Sequence, residues 1–281
     1  MKHTARKRGC RCLYARKRTD ERGLIRYSGD TGAAYRFRKG GCRFSEALTL
    51  TALDNHLLQA LPDDVRRTVD GALERIHLPA KTLIYEAGGP IEDIYFPIDA
   101  VISVVTVMRD GTHIEVVTVG REGLTGAQGL LDGALASQLT YCQVAGEAYR
   151  IPFARLTELA ARFEALRGLA QRYLSAQLDV MAQSIACNRL HYVNERCARW
   201  LLMTHDRVGR GDFPLTHEVL ATMLGVRRAG VSIAAAALQQ SGSIRYTRGR
   251  FNVVDRDSLE AAACECYGAI NQAFERRRLA P

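Results

Sequence analysis

Arginines near the carboxy terminus are the side chains of this sequence best suited to bind an anionic partner. The segment from Thr216 to Arg250 contains five arginines and a single acid, Glu218. These arginines are Arg227, Arg228, Arg245, Arg248 and Arg250. A positive charge confined to one short segment is typical of contact with nucleic acid, because phosphates attract cations and release their counterions on binding.

A predicted helix-turn-helix positions these arginines. Thr216 is a good N-cap for a first helix with Glu218 in its first turn, and Gly225 ends that helix as a left-handed turn residue. A second helix is predicted from about Arg228 to Gln240. One apolar face of the first helix is expected to comprise Val219, Leu220, Met223 and Leu224. The residues expected on or near the inward face of the second helix are Val231, Ile233, Ala234 and Leu238.

Three positions constrain a helix-turn-helix most: a small residue where the helices cross, a glycine at the turn and a branched apolar residue in the second helix. They fall on Ala221, Gly225 and Val231. The following sequence IRYTRGRFNVV predicts two strands around Arg248 and Gly249, which together form a wing. An ordinary helical hairpin with a charged surface is the alternative. The wing and the local excess of arginine favour the helix-turn-helix.

Short β-rich runs separated by turns occupy residues 78–151. Asp110 and Gly111, between two such runs, are a strong hairpin signal. Strands at this spacing predict an all-β roll or sandwich. The preceding residues 50–76 are predicted to be helical, with a break at Pro62.

A long helical region is predicted at residues 153–202, which contain no proline. Its first apolar stripe comprises Leu166, Leu169, Tyr173, Ala176, Val180, Gln183, Cys187 and Leu190. Its second stripe comprises Leu174, Leu178, Met181 and Ile185. Two apolar faces on one helix indicate two partners, the chain's own domain and a second copy of the chain; a single broad buried face is the alternative. We assign the dimer interface to the first stripe, through Leu169, Tyr173, Val180 and Cys187.

A β-roll, a long helix and a winged helix-turn-helix in this order resemble the cyclic-AMP receptor and fumarate-nitrate regulator (Crp/Fnr) family of bacterial transcription regulators. VNERCARWLL (193–202) and LTHEVLATMLGVRRAGVS (215–232) resemble the family's pattern in detail. The resemblance covers about residues 50–265. It implies an α+β chain with a β-roll like the cyclic-nucleotide-binding jelly roll, a long dimerisation helix and a C-terminal winged helix-turn-helix. The expected domains are a basic disordered tail at 1–44, the β-roll at 45–160, the dimerisation helix at 161–203 and the DNA-binding domain at 204–281.

The resemblance implies a sequence-specific DNA-binding transcription regulator that binds a two-fold operator as a homodimer, with a recognition helix in each major groove. Double-stranded DNA and a second copy are the expected partners, and RNA polymerase is a further candidate. The alternative is a protein-binding or signalling module whose helix-turn-helix does not bind DNA.

The resemblance also places DNA contacts on individual residues. Base-reading side chains fall on Arg227, Arg228 and Ser232, and further contacts fall on Thr216, Arg245, Arg248 and Arg250. A Glu and an Arg with which many members read bases correspond here to Ala229 and Ile233. The operator is therefore expected to differ from the best-known one of the family.

The effector pocket of the family corresponds to Gly126, Ala127, Ala136 and Ser137. Members that bind cyclic nucleotides hold the ribose with a Glu, which falls on Ala127, and the phosphate with an Arg, which falls on Ala136 or Ser137. Residues 123–149 contain no Lys or Arg, and burying a phosphate without a cation is costly. Backbone amides near Gly126 could still contact an anion. We predict no response to cyclic AMP; the effector is unknown.

The eight cysteines indicate neither a metal site nor a disulfide scaffold. None forms a CxxC pair, and Cys10, Cys12 and Cys42 lack the spacing of an iron–sulfur cluster. Cys264 and Cys266, two positions apart on a predicted helix, are expected to point to different faces. No metal site is therefore predicted.

The sequence gives little indication of a haem cofactor or of catalysis. His77, His113 and Cys187 are loose candidates for an axial haem ligand, and each is more commonly a structural residue. No P-loop, GxSxG or HExxH motif occurs. We predict neither a cofactor nor an enzyme.

The positive charge of the chain is concentrated in its tail. Residues 1–44 hold 14 Lys and Arg against 3 Asp and Glu, and the remaining residues hold 25 against 27. We interpret this tail as disordered, either solvated or translated from an upstream start, in preference to a nucleic-acid-binding arm. No apolar run reaches the roughly 18 to 20 residues of a membrane helix, and no secretory signal follows the basic start. A cytoplasmic protein with reduced thiols is expected.

Overall fold

A computed structural model describes the backbone of residues 16–19 and 25–28 and all of residues 54–279. The chain divides into two compact units, Met1–Thr51 and Ala52–Pro281.

The first unit contains an antiparallel pair of strands, β1 (Arg16–Thr19) and β2 (Ile25–Ser28). This pair departs from the prediction that residues 1–44 are disordered. The rest of that prediction, with Cys10, Cys12 and Cys42, lies outside the described residues.

The second unit begins with two short helices, continues into a β-roll and ends in a mostly helical domain. Its first elements are α1 (His56–Gln59), α2 (Asp63–Asp70), β3 (Glu74–Leu78), β4 (Leu83–Tyr85), β5 (Asp93–Pro97), β6 (Val101–Val107), β7 (His113–Val119), α3 (Gly129–Asp132), β8 (Leu139–Val144) and β9 (Gly146–Pro152). The later elements are α4 (Phe153–Arg162), α5 (Glu164–Leu190), α6 (Val193–Val208), β10 (Asp212–Pro214), α7 (His217–Leu224), α8 (Arg228–Gln240), β11 (Ile244–Thr247), β12 (Arg250–Val253), α9 (Arg256–Ala261) and α10 (Cys266–Glu275).

The helices before the β-roll are shorter than predicted. The break at Pro62 is confirmed, because Pro62 is the N-cap residue of α2. The helix does not continue to residue 76: Ile76 is paired with Ala148 in the β-roll. Sheet pairing overrides the helical spacing of Ile76, since a neighbouring strand can satisfy its backbone groups.

Two antiparallel sheets form the predicted β-roll. Their strand orders are β3-β9-β5 and β4-β8-β6-β7. The predicted hairpin joins β6 to β7, and Gly111 in its turn has φ +82°, a conformation that favours glycine. Asp110 stabilises this turn by accepting a hydrogen bond from the Thr112 amide at 2.9 Å.

The long helix is interrupted where the sequence predicts continuity. The predicted dimerisation helix at 161–203 is α5 and most of α6, and the chain is extended at His191 and Tyr192 between them. The Glu195 carboxylate accepts a hydrogen bond from the Tyr192 amide at 2.9 Å, which caps a new helix at this point. Helix propensity alone does not reveal such a break, because both flanking segments favour helix.

The first stripe of α5, except Leu190 at its end, faces the chain's own core, so its assignment to a dimer interface is wrong. Leu169, Tyr173, Val180 and Cys187 are all buried within the single chain. Tyr173, for example, packs against the Phe274 ring of α10, with 6.4 Å between centroids. A side chain already covered by its own chain has no surface left to offer a second copy.

The carboxy-terminal domain packs α6, α7, α8 and the wing around a second core that includes Leu201, Phe213 and Phe251, and Val101 and Val144 of the β-roll belong to the same core. No single helix among residues 54–279 is long and apolar enough to cross a membrane, although α7 and α8 reach that length and composition as a bent pair.

Candidate nucleic-acid interface

The helix-turn-helix forms as predicted. Thr216 Oγ1 accepts a hydrogen bond from the Val219 amide at 3.2 Å and so caps α7. Gly225 ends α7 in the left-handed conformation, with φ 62° and ψ 39°. Helix α8 then leaves at an angle of 109° to α7.

The packing of the two helices agrees with the prediction at two of the three constrained positions. It differs from the prediction at Ile233, a neighbour of one of them. Ala221 and Val231 are buried where the helices meet. Ile233, predicted to lie on or near the inward face, is 73% exposed. The inward face of α8 is formed by Val231, Ala234, Ala235 and Leu238, and Ile233 lies on the other side of the helix.

The start of α8 presents two cations to solvent. Arg227 is its N-cap residue and Arg228 its first residue, and both are exposed. Arg228 Nε lies 3.6 Å from the Glu218 carboxylate, but both side chains are largely exposed, so this pair is weak. The helix dipole adds partial positive charge at the same end, which favours an anion there.

The position of Ser232 does not suit its predicted role in reading bases. It is half-buried, and its Oγ lies 3.0 Å from Nδ1 of His217. The His217 ring stacks on Tyr246 of the wing, with 4.2 Å between centroids. Burial and the charge of Arg228 lower the pKa of His217, so the ring is neutral at neutral pH. Ser232 thus belongs to a contact that ties α8 to α7 and the wing.

His217 was missed in the sequence because nothing in its spacing marks it. The contact that gives it a role joins the start of α7 to a strand almost thirty residues later in the chain. Only the folded wing brings the two rings together.

The predicted wing is present, with one additional strand. Arg248 and Gly249 both have positive φ, 49° and 76°, which suits a two-residue turn between β11 and β12. The additional strand is β10, which pairs with β12 through Phe213 opposite Phe251. The wing is therefore a three-stranded sheet in the order β10-β12-β11.

The arginines of the wing divide into two kinds. Arg250 donates hydrogen bonds from two guanidinium nitrogens to Asp212 Oδ2, at 2.9 and 2.5 Å, and so holds β12 to β10. Arg245 and Arg248 are exposed, and within residues 54–279 they form no ion pair. The latter two are the wing cations best placed to meet a phosphate.

The β6–β7 turn of the β-roll faces the same end of α8. A cavity of about 660 Å³ lies between them, lined on one side by Gly111 to Ile114 and on the other by Arg227 and Arg228. Nearby, Ser103 Oγ lies 3.7 Å from Met223 Sδ, which marks the contact of α7 with the sheet.

Two polar contacts join α6 to β7 and the loop that follows it. Trp200 Nε1 donates to Glu115 Oε1 at 2.9 Å, and Ser103 Oγ donates to the other oxygen at 2.8 Å. Burial raises the pKa of the Glu115 carboxyl, and these two hydrogen bonds oppose that shift.

The second contact is a buried ion pair. The Arg207 guanidinium donates to Glu122 Oε1 from two nitrogens, at 3.0 and 2.8 Å, and to Thr118 Oγ1 at 2.5 Å. The Arg207 side chain is 6% exposed. Such a pair is costly to break, because the remaining charge would stay buried without a partner.

The predicted effector residues differ in burial. Ala127 and Ala136 are buried in the hydrophobic core, whereas Ser137 is exposed. Gly126 has φ +63°, and a Cβ added to it would lie 2.9 Å from Tyr85 Oη and 2.9 Å from Ile94 Cδ1. The space next to Gly126 is therefore filled by the chain's own side chains.

The candidate haem ligands lie on three different elements, and the strands of the two histidines belong to different sheets. His77 lies on β3 beside Glu147, with 3.0 Å between Nδ1 and the carboxylate, and His113 begins β7. Cys187 lies in the last turn of α5.

Cys187 is instead adjacent to two other cysteines, contrary to the argument from helical spacing. Cys264 precedes α10 and Cys266 is its first residue, so the two are not on one helix, and both thiols lie beside Cys187 and His191. The prediction that the thiols of Cys264 and Cys266 diverge is wrong.

Comparison with known proteins agrees with this architecture. Residues 195–262 match the family model of the Crp-like helix-turn-helix domain. No curated protein matches the chain in sequence.

Solved structures of similar fold are regulators from several bacteria. FixK2 from Bradyrhizobium japonicum superposes with a TM-score of 0.58 at 15% identity, over 68% of this chain and 98% of its own. TTHB099, a transcriptional regulator of the CRP family from Thermus thermophilus, gives a TM-score of 0.56 at 24% identity, over 67% of this chain and 96% of its own. CLP from Xanthomonas campestris, described as a c-di-GMP responsive global regulator, gives a TM-score of 0.53 at 17% identity, over 68% of this chain and 99% of its own. Residues 195–262 are thus a Crp-like helix-turn-helix domain, and the chain that carries them has the fold of the Crp/Fnr transcription regulators.

Proposed function

We propose that this protein is a sequence-specific DNA-binding transcription regulator that acts as a homodimer and does not respond to cyclic AMP. The observation that carries the proposal is the exposed pair Arg227 and Arg228 at the start of α8, in a domain of the Crp-like helix-turn-helix type. A recognition helix of this kind enters the major groove with its N-terminal residues against the base edges.

Base reading is assigned to three side chains on the exposed face of α8. Arg227 and Arg228 suit guanine, whose O6 and N7 accept two hydrogen bonds from a guanidinium. Ile233 is exposed and apolar, and so suits the methyl group of thymine. Ser232 is left out of this set because it is engaged with His217.

Backbone contacts are assigned to the wing. Arg245 and Arg248 are exposed on or beside its turn, where they can meet phosphates and add salt-dependent affinity. Arg250 acts indirectly, through its ion pair with Asp212.

Dimerisation is assigned to the second stripe of α5. Leu178 and Ile185 are 67% and 72% exposed, and Leu174 and Met181 are half-buried beside them. The four residues follow one another at helical spacing and form one apolar strip along the outer face of the helix. A second copy of α5 would cover this strip.

The absence of a cyclic-AMP response is supported by the sites of Ala127 and Ala136. Both side chains are apolar and buried, so neither offers a hydrogen bond to ribose or a charge to phosphate. A buried anion without such partners is unfavourable.

DNA selection followed by binding at several salt concentrations tests the proposal. Purified protein should enrich a two-fold symmetric sequence from random DNA. Arg227→Ala should weaken binding to it by about 10- to 100-fold and relax the preference at one base pair of each half-site. Arg248→Ala should weaken binding to all DNA sequences alike. It should also lower the slope of log affinity against log salt concentration by about one.

Arg155→Ala is the matched control, because Arg155 is an exposed arginine on α4 whose one ion pair within residues 54–279 is with its helical neighbour Glu158. It should leave DNA binding unchanged. If the protein enriches no sequence and its DNA affinity is insensitive to Arg227→Ala, the alternative of a protein-binding module is favoured instead.

A further inference from the structure

Four metal-ligating side chains converge where α5 ends and α10 begins. The ligand atoms of Cys187, His191, Cys264 and Cys266 all lie within 4.8 Å of one another. The three cysteines are buried and the His191 side chain is 19% exposed. We propose that these four residues form a Cys3His zinc site that clamps the end of α5 to the carboxy-terminal helices.

The distances suit a tetrahedral ion. With Zn–S bonds of about 2.3 Å and Zn–N bonds of about 2.0 Å, neighbouring ligand atoms of a tetrahedron are about 3.5 to 3.8 Å apart. Cys187 Sγ and Cys264 Sγ are 3.6 Å apart, and Cys266 Sγ and His191 Nδ1 are 3.4 Å apart. The remaining ligand atoms lie within 4.8 Å of one another, so shifts of about 1 Å or less would bring all four to bonding distance of one ion.

Outer hydrogen bonds already orient two of the ligands. His191 Nε2 lies 3.1 Å from Glu265 Oε1, and the tautomer that donates this hydrogen bond leaves the Nδ1 lone pair directed at the cluster. Gln183 Nε2 donates to Cys266 Sγ at 3.0 Å, a contact that stabilises a thiolate. A carboxylate behind a ligating histidine is the usual arrangement in zinc proteins.

Two buried arginines beside the cluster lack an anionic partner. Arg196 and Arg199 of α6 are buried, and no carboxylate in the described part of the chain lies within ion-pair distance of either. Their Nε atoms have no hydrogen-bond partner there. Arg199 is near enough for its charge to act on Cys187 and Cys264. One Zn²⁺ with three thiolates has a net charge of about −1 and would offset one of these cations.

Zinc is favoured over other metals by the ligands and by their number. Three thiolates and one imidazole select a soft or borderline ion of tetrahedral preference. Four protein ligands leave no position for water or substrate, as in structural zinc sites. Binding would displace the three thiol protons and form three Zn–S bonds and one Zn–N bond, with no change of oxidation state.

The position of the site indicates what it would hold in place. Cys187 lies in the last turn of α5, His191 at the extended break before α6, and the remaining two cysteines at the start of α10. A metal at this point would fix the direction in which the chain leaves α5 for the carboxy-terminal domain.

Zinc content tests the proposal directly. The tail cysteines could bind metal themselves, so the full chain is prepared as a C10S/C12S/C42S variant, incubated with excess zinc under reducing conditions and dialysed. We expect one zinc per chain by elemental mass spectrometry. Adding Cys264→Ser or Cys187→Ser to this variant should abolish zinc binding. Cys142→Ala and Cys197→Ala remove buried cysteines outside the cluster and should leave zinc binding unchanged.

Two further measurements do not depend on cysteine variants, which could fail to fold. They are cobalt binding by the folded chain and a substitution of Glu265, the partner of the ligating histidine. The folded C10S/C12S/C42S chain should bind one Co²⁺ with the visible absorption of a tetrahedral ion and thiolate charge-transfer bands. Glu265→Gln should retain the site but lower its zinc affinity by about 10- to 100-fold in chelator competition.

Three results would overturn the proposal. They are a C10S/C12S/C42S chain without stoichiometric zinc, zinc retained equally in the Cys264→Ser and Cys142→Ala variants, and a Cys187–Cys264 disulfide as the resting state of the protein purified without reductant.

Discussion

Trp200 Nε1 donates a hydrogen bond to Glu115 Oε1 at 2.9 Å, and this contact joins the carboxy-terminal domain to the β-roll. Glu115 lies on β7 and Trp200 on α6, so the bond connects the sheet to the helix that begins the helix-turn-helix domain. Burial raises the pKa of Glu115. The stability of this junction should therefore depend on pH.

Glu115→Gln should stabilise the protein at neutral pH. The raised pKa means that folded protein keeps a proton over a range in which the unfolded chain has lost it, so stability falls as pH rises through that range. Glutamine still offers Trp200 an acceptor and does not titrate. The variant should melt at a higher temperature than the original at about pH 7.5, and the difference should shrink towards about pH 4.

Thermal unfolding followed by circular dichroism measures this effect. Glu158→Gln, at an exposed position on α4, is the control and should show no such trend. A Glu115→Gln protein that melts lower than the original at every pH would contradict the expectation.

Arg207→Met should destabilise the protein strongly. It leaves Glu122 buried without its partner, which costs about 3 to 5 kcal/mol. Arg210→Met removes an arginine three residues later whose ion pair with Asp99 is exposed, and should cost at most about 1 kcal/mol. Urea unfolding of the two variants compares the costs, and equal losses would show that the Arg207 pair is not effectively buried.

Leu178→Glu should produce a folded monomer. Leu178 is exposed on the second stripe of α5, so a charge there disrupts only a contact with a second copy. Val180→Glu, two residues further on, places the charge in the chain's own core and should lower the melting temperature by many degrees. Sedimentation velocity gives the oligomeric state and thermal unfolding the stability. A Leu178→Glu protein that sediments as a dimer would place the interface elsewhere.

Cyclic AMP and cyclic GMP should neither bind nor change operator affinity. A ligand shifts a protein between two states only by binding one state with higher affinity than the other. The apolar site at Ala127 and Ala136 offers neither a charge nor a side-chain hydrogen bond to a phosphate. Calorimetry of the unmodified protein measures the affinity. Heat of binding at micromolar nucleotide would show that backbone amides near Gly126 or a distant arginine replace the missing charge.

Local signals in the sequence were enough to predict the helix-turn-helix. Thr216 caps α7, Gly225 ends it in the left-handed conformation, and α8 has the predicted bounds. Capping and left-handed turns depend on one or two residues and their immediate neighbours, so they can be recognised without knowledge of the fold. The same is true of the Asp110-Gly111 hairpin and of the turn at Arg248.

The tertiary structure decided which face of each helix points inward. Helical spacing revealed two apolar stripes on α5, but the stripe of Tyr173 packs into the core, whereas Leu178 and Ile185 of the other stripe are exposed. Periodicity shows that a face is apolar and leaves open what covers it, because the covering residues come from distant parts of the chain. Ile233 on α8 was misplaced for the same reason.

Amino-acid types and local spacing thus determined the order of the domains, the helix-turn-helix and the lack of a cation in the segment around Ala127 and Ala136. Contacts between distant segments determined the rest. Cys187 and Cys264 are 77 positions apart in the chain, yet their sulfurs are 3.6 Å apart because α10 packs along α5. No spacing rule covers such a distance, since the separation of two residues in the sequence does not limit how closely a folded chain can bring them together.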